Sequence, residues 1–161
     1  MSDAVKVVRE LLSGNLDVTS LLNELGDSNY PIFGGALPEY FDPTNNPAIV
    51  ITVKGGTSDS ELPIQDIAVQ VVCWAGINQF VLAREVYEAV FACLHGIANL
   101  NLGDDGKIIR CIEQAVGHDI VDPNARWVMV MNSFSLMLTA AELSTSAIVS
   151  GGVAVDFGGY L

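Results

Sequence analysis

The chain has 161 residues, half of them hydrophobic and only 16% charged, with a formal net charge of −12. That balance excludes intrinsic disorder, which needs low hydrophobicity and high charge. Seven Lys and Arg against nineteen Asp and Glu exclude phosphate-driven nucleic-acid binding, for which the chain has no basic cluster. The length fits one domain with room for a core. The apolar content exceeds what one small domain hides, and points to burial against partners.

The elements follow in chain order. Asp3 to Leu12 is predicted as a helix, with Val5, Val8, Leu11 and Leu12 on one face, Ser2 or Asp3 as cap and Gly14 as stop. A second helix is predicted from Asp17 or Thr19 through Leu25, closed by Gly26. Asn29 to Pro47 is rich in Pro, Gly and Asn and reads as a long connection with one short strand near Ile32 and Phe33. A β-branched run, Ala48 to Lys54, is predicted as a strand. Gly55 to Pro63 reads as a polar, projecting loop, and Ile64 to Trp74 alternates as the second strand of an antiparallel hairpin.

Asn78 to His95 carries the strongest helical pattern, with Phe80, Tyr87, Val90, Phe91 and Leu94 as the apolar stripe and Arg84, Glu85, Glu88 and His95 opposite. Asn78 is the expected cap. Lys107 to Val116 is predicted as a strand, Gly117 to Arg126 as a polar turn, and Trp127 to about Ala140 as the last strand, whose apolar face Asn132 interrupts. The expected fold class is therefore α+β: a twisted, mostly antiparallel four-stranded sheet with helices packed on one side. Residues 1–140 form the domain. Residues 141–161 differ in composition, being rich in Ser, Ala, Val and Gly, and read as a C-terminal extension, either a small hairpin or an arm that adds a strand to a neighbour.

The chemistry-bearing residues are sparse. His95 and His118 are the only histidines, and neither has Cys or His at metal-ligand spacing. Cys73, Cys93 and Cys111 form no CxxC pair and sit among apolar neighbours, as packing thiols in a reducing cytoplasm do. No Gly-x-Ser-x-Gly elbow and no phosphate loop occurs, and Asp104-Asp105-Gly106 lacks the remaining ligands of a calcium loop. Asp59 and Glu61 stand in the predicted loop with no apolar pocket to raise a pKa. Trp74 and Trp127 are expected at the sheet margin, packed on the long helix, with an interface anchor as the alternative. No signal peptide is expected at Met1 to Gly14, and no run reaches the roughly 18 apolar residues of a membrane helix. The expectation is a non-enzymatic chain with no metal, no cofactor and no membrane partner.

Several short motifs fall in a recognisable order: Val18 to Leu22 after the first helix, Tyr30-Pro31-Ile32-Phe33-Gly34, Asn46-Pro47-Ala48-Ile49-Val50, Val69 to Ala75, then Ala83-Arg84-Glu85-Val86-Tyr87 and Leu94-His95-Gly96. Over roughly residues 3 to 140 the chain resembles the tail-terminator, or tail-completion (head-tail joining), proteins of long-tailed bacteriophages. The resemblance implies a structural virion protein in a six-fold ring at the head-proximal end of the tail tube, assembled in the host cytoplasm. It implies three partners: further copies of the chain, the tail-tube protein and a head connector or neck protein. DNA would pass through the ring without specific binding, and the acidic chain suits a lumen that repels phosphate. The expected contact residues are Ser58, Asp59 and Glu61 in one loop, His118, Asp119 and Asp122 in another, and Ile148, Val153, Val155 and Phe157 docking onto a neighbouring subunit or tail protein. The alternatives are another ring component, either a tail-tube subunit or a neck protein, and a small-molecule-binding or enzymatic α+β domain.

Overall fold

A computed structural model describes residues 3–140. The extension 141–161, with the expected contacts Ile148, Val153, Val155 and Phe157, lies outside the described residues. Helix α1 spans Ala4–Ser13, and its start is fixed by the Asp3 carboxylate, which accepts from Val5 N at 3.0 Å. Its buried face is Ala4, Val7, Val8 and Leu12, so the expected face is rotated, with Val5 and Leu11 at its margins. Helix α2 is a single turn, Leu16–Thr19, rather than the predicted helix to Leu25. Asn15, directly after Gly14, takes the cap by accepting from Val18 N. The chain then leaves the helix for a turn in which Asp27 and Ser28 adopt left-handed φ values of 52° and 60°. Leu22 is still buried, but Leu25 is exposed.

The strands are β1 (Ile32–Gly34), β2 (Ala48–Ser58), β3 (Ile64–Ile77), β4 (Ile97–Asn101), β5 (Lys107–Val121) and β6 (Trp127–Thr139), with α3 (Phe80–Leu94) between β3 and β4. They form one six-stranded sheet in the order β1-β2-β3-β6-β5-β4. Every neighbour pairs antiparallel except β1, which runs parallel to β2. The α+β class holds, but four strands become six, because a short edge strand is added at each side. β4 carries no alternation to read: four of its five residues are exposed, and Asn99 has φ 55°.

Both predicted loops are shorter than expected, for one reason: polar, exposed residues at a sheet margin resemble a loop in composition. Gly55 to Ser58 continue β2 and pair with Ala68 to Gln65, after a bulge at Lys54. Only residues 59–63 form the tip. Gly56 is required there by φ 153° and by the Asp66 carbonyl oxygen, which occupies the place of a Cβ. Likewise β5 runs five residues past Val116, so His118 and Asp119 are strand residues and not turn residues. Gly117 is buried mid-strand, where a Cβ would come within 2.8 Å of the Tyr87 ring and of Val130.

The three helices cover one face of the sheet. There Val7, Leu12, Val86, Val90 and Leu94 pack on Ile49, Val71, Cys73, Val130 and Phe134 in one continuous core. The α3 stripe is Ala83, Val86, Tyr87, Val90 and Leu94; Phe80 stays partly exposed. Asn78 does not cap this helix. It turns the chain with φ 62°, Gln79 occupies the cap, and the Gln79 Oε1 accepts from Gly76 N at 2.7 Å. A second, smaller apolar cluster lies on the opposite face: Val50, Val72 and Met129, flanked by Phe33, Leu37 and Trp74. Trp74 therefore points away from α3, contrary to the expected packing, and meets Trp127 edge-on at 6.2 Å between ring centroids.

Candidate functional site

The six expected contact residues that lie within the described chain separate into two surfaces at opposite ends of the sheet. At one end is the β2–β3 tip. Asp59 follows Ser58 and folds back, its Oδ1 accepting from Glu61 N at 2.7 Å and Leu62 N at 2.8 Å. These N–H groups favour the ionised carboxyl and lower the Asp59 pKa, Leu62 contributing most and Glu61 next. The Asp59 N–H closes the turn on the Ile64 carbonyl at 3.0 Å. Glu61 and Leu62 are left exposed at the apex, so the tip presents a carboxylate beside an apolar side chain.

At the other end, Asp122 builds the β5–β6 turn. Its Oδ1 accepts from Asn124 N at 2.8 Å and Ala125 N at 2.7 Å, while Arg126 takes φ 65°. His118 and Asp119 lie before this turn, on β5 opposite Met131 and Val130. Asp119 holds Arg84 of α3 through Nε at 3.0 Å and Nη2 at 2.9 Å. The Arg84 guanidinium also lies over the Tyr87 ring. Around this end Ile77, Phe80, Val81 and Val121 are exposed apolar side chains. The fourteen residues of β3 separate the two ends, by roughly 45 Å at ~3.3 Å per residue.

Among the described residues no three His, Cys, Asp or Glu side chains group to hold a metal ion. His95 is engaged within the fold: its ring stacks on Phe91 at 4.5 Å and its Nδ1 accepts from Glu113 N at 3.0 Å. Burial raises the pKa of all three thiols; Cys73 lies deepest, and Cys111 is pushed up to about 12. The depressions nearest the tip are shallow clefts of about 290 and 270 Å³ on either side of the β2–β3 hairpin.

One polar cluster has only a faint trace in the sequence. The Tyr87 hydroxyl donates to Glu113 Oε1 at 2.7 Å and accepts from Gly117 N at 3.2 Å, and Asn132 Nδ2 donates to the same Glu113 oxygen at 3.1 Å. Asn132 is buried, and its Oδ1 has no hydrogen-bond partner among the described residues. The one signal is Asn132 itself, a polar residue inside an apolar alternation. The cluster ties α3, β5 and β6 together where β5 bulges.

No family model and no curated protein matches the chain. Among solved structures, a chain from the virion of a native gene transfer agent particle has the same fold. The TM-score is 0.56 at 17% sequence identity, over 86% of this chain and 100% of that one. The fold described here therefore spans the whole of that virion chain.

Proposed function

We propose that this chain is a structural virion protein. In this reading it forms a six-fold ring at the head-proximal end of a phage tail tube, stops tube polymerisation and joins the tail to the head connector while DNA passes through. The observation that carries this is the placement of two built turns at opposite ends of one continuous sheet. A subunit placed between a tube below and a connector above needs two such separated contacts, held at fixed spacing by paired strands. The tip at Ser58, Asp59 and Glu61 and the region of His118, Asp119 and Asp122 are the proposed contacts. The shared fold with a virion chain of a gene transfer agent particle supports a virion role. The net charge of −12 supports a passage that does not hold DNA.

The test is electron microscopy of lysates from a phage lacking this gene. Overlong tails beside filled, unjoined heads are expected. Heads with no tails at all would reassign the chain to the tail-tube subunit, and normal virions would overturn the virion reading.

A further inference from the structure

The six-stranded sheet is stepped at both sides. β1 pairs with β2 only from Ile49 to Ile51, and among the described residues no strand pairs with the outer side of β2 from Val53 to Ser58. β4 pairs with β5 only from Lys107 to Cys111, and among the described residues no strand pairs with the outer side of β5 beyond that. Glu113 N is held there by His95 Nδ1 and Gly117 N by the Tyr87 hydroxyl, so the uncovered stretch is His118 to Val121. Open edges of this kind are templates for further strands.

The two steps match in shape. Along the pairing, Ile32 lies in one row with Ile49, Cys73, Val130 and Asp119, and Phe33 lies in the next with Val50, Val72, Met131 and His118. β1 therefore stands out at the height where β5 is bare. Ile97 lies in a row with Cys111, Leu136, Ile67 and Gly56, and Leu100 in a row with Ile108, Leu138, Gln65 and Ser58. β4 therefore stands out where β2 is bare. Two copies side by side in the same orientation fill both gaps at once. β4 of the first copy enters beside Val53 to Ser58 of the second, parallel to its β2. β1 of the second copy enters beside His118 to Val121 of the first, antiparallel to its β5. Each projection and each gap is one strand wide, about 4.8 Å.

The charges on the helix side agree. Arg9 lines a cleft with Gly34 of β1, and Lys54 stands at the bulge of β2. Both are exposed and have no ion-pair partner among the described residues. At the other side of the sheet, Arg84 and Tyr87 of α3 reach Asp119 and Glu113 of β5. Glu88, one turn on from Arg84, is exposed and likewise has no ion-pair partner among the described residues. Gly34 shares a row with Ile51, Val71 and Asn132, and Asn132 binds the same Glu113 oxygen as Tyr87. The free bases of the second copy and Glu88 of the first thus come to one height. An exposed pair of this kind is weak, so it selects which sides meet, and the net charge still sets the salt dependence of assembly.

We propose that copies of this chain join edge to edge through these two steps into one continuous sheet. The occupant of each gap is a second copy, because a projection at the chain's own opposite side matches it in height and width. The joint uses two different edges, so it repeats head to tail and closes a ring when the rotation per copy divides a full turn. It gives the proposed ring its subunit interface, and rests on that reading only in taking copies to associate. The two turns at the ends of the sheet stay free for other partners.

The test is disulfide trapping on the full chain carrying Thr57→Cys and Ala98→Cys together. Both positions are exposed and share a row with Asp66, Met137 and Arg110. Within one chain they stand four strand spacings apart, about 19 Å, beyond the roughly 7 Å that a disulfide spans. Between joined copies they lie on adjacent strands, about 5 Å apart. Under oxidant at about 0.5 M salt, the double variant is expected to run as a ladder of linked dimers, trimers and larger species that reductant collapses. Either single variant and the unmodified chain are expected to stay unlinked. No ladder while sedimentation shows oligomers would overturn the proposal and leave the ring to another surface. No ladder and no oligomers would overturn it too, with the tail role still decided by electron microscopy. Dimers from Thr57→Cys alone would overturn it in favour of β2 edges pairing with each other. If the double variant fails to fold, hydrogen exchange on the unmodified chain decides. The outward amides of Val53 to Ser58 are expected to exchange about ten-fold more slowly in oligomers than in the monomer. Equal exchange, or protection already present in the monomer, would overturn the proposal.

Discussion

Tyr87 shows how a single side chain fixes an irregular strand. Its ring fills the space that Gly117 leaves vacant, and its hydroxyl bridges the Glu113 carboxylate and the Gly117 N–H. Burial comes first, and the Glu113 carboxylate adds to it, in raising the phenol pKa. Tyr87→Phe keeps the packing but leaves a buried N–H without its acceptor. A loss of about 1–3 kcal/mol in unfolding free energy is expected from urea titration. An unchanged midpoint would show that water replaces the hydroxyl.

Gly56 has the matching part at the scale of the element. Its φ of 153° and the Asp66 carbonyl leave no place for a Cβ, so Gly56→Ala must shift one strand of the hairpin. The expected result is a stability loss of about 1–3 kcal/mol. Faster exchange should be confined to Thr57, Ser58, Gln65 and Asp66, with α3 and β6 intact. Uniform loss across the sheet would show that the hairpin end is integral to the core. The Ala48 start of β2, the alternation from Ile67 to Trp74 and the α3 stripe could be read because burial on one face imposes a period on the sequence. The outer halves of β2 and β5 could not. Their residues are exposed or pair at bulges, so they have the composition of loops and owe their strand state to backbone pairing with β3 and β6. For the same reason His118 and Asp119, expected in a turn, sit on a strand, and Asp119 finds Arg84 thirty-five residues away.

For the whole molecule, the net charge of −12 sets a condition on assembly. Like-charged copies repel over distances of about 10 Å at 0.1 M salt, and less as salt rises. If the copies form the proposed ring, oligomers should increase when salt is raised from about 0.02 M to about 0.5 M, because apolar contacts persist while repulsion is screened. Sedimentation velocity at the two salt levels reads this directly. Oligomers that dissociate as salt rises would mean that ion pairs between copies hold the ring.

The sequence by itself determined the α+β class, the first and third helices to within a residue or two, the central strands and the burial of Cys73 and Cys111, whereas Cys93 is only partly buried. Each of these follows from local periodicity or from an apolar neighbourhood. Only the tertiary structure decided the parallel β1, the edge strand β4, the face to which Trp74 turns and the Tyr87–Glu113–Asn132 cluster. These depend on which strand lies beside which, and a pairing between residues far apart in the chain leaves no period in either partner. The separation of the two turns to opposite ends of the sheet belongs to the same class: it is set by the antiparallel run of β3 against β6, from Ile64 opposite Thr139 to Ile77 opposite Trp127.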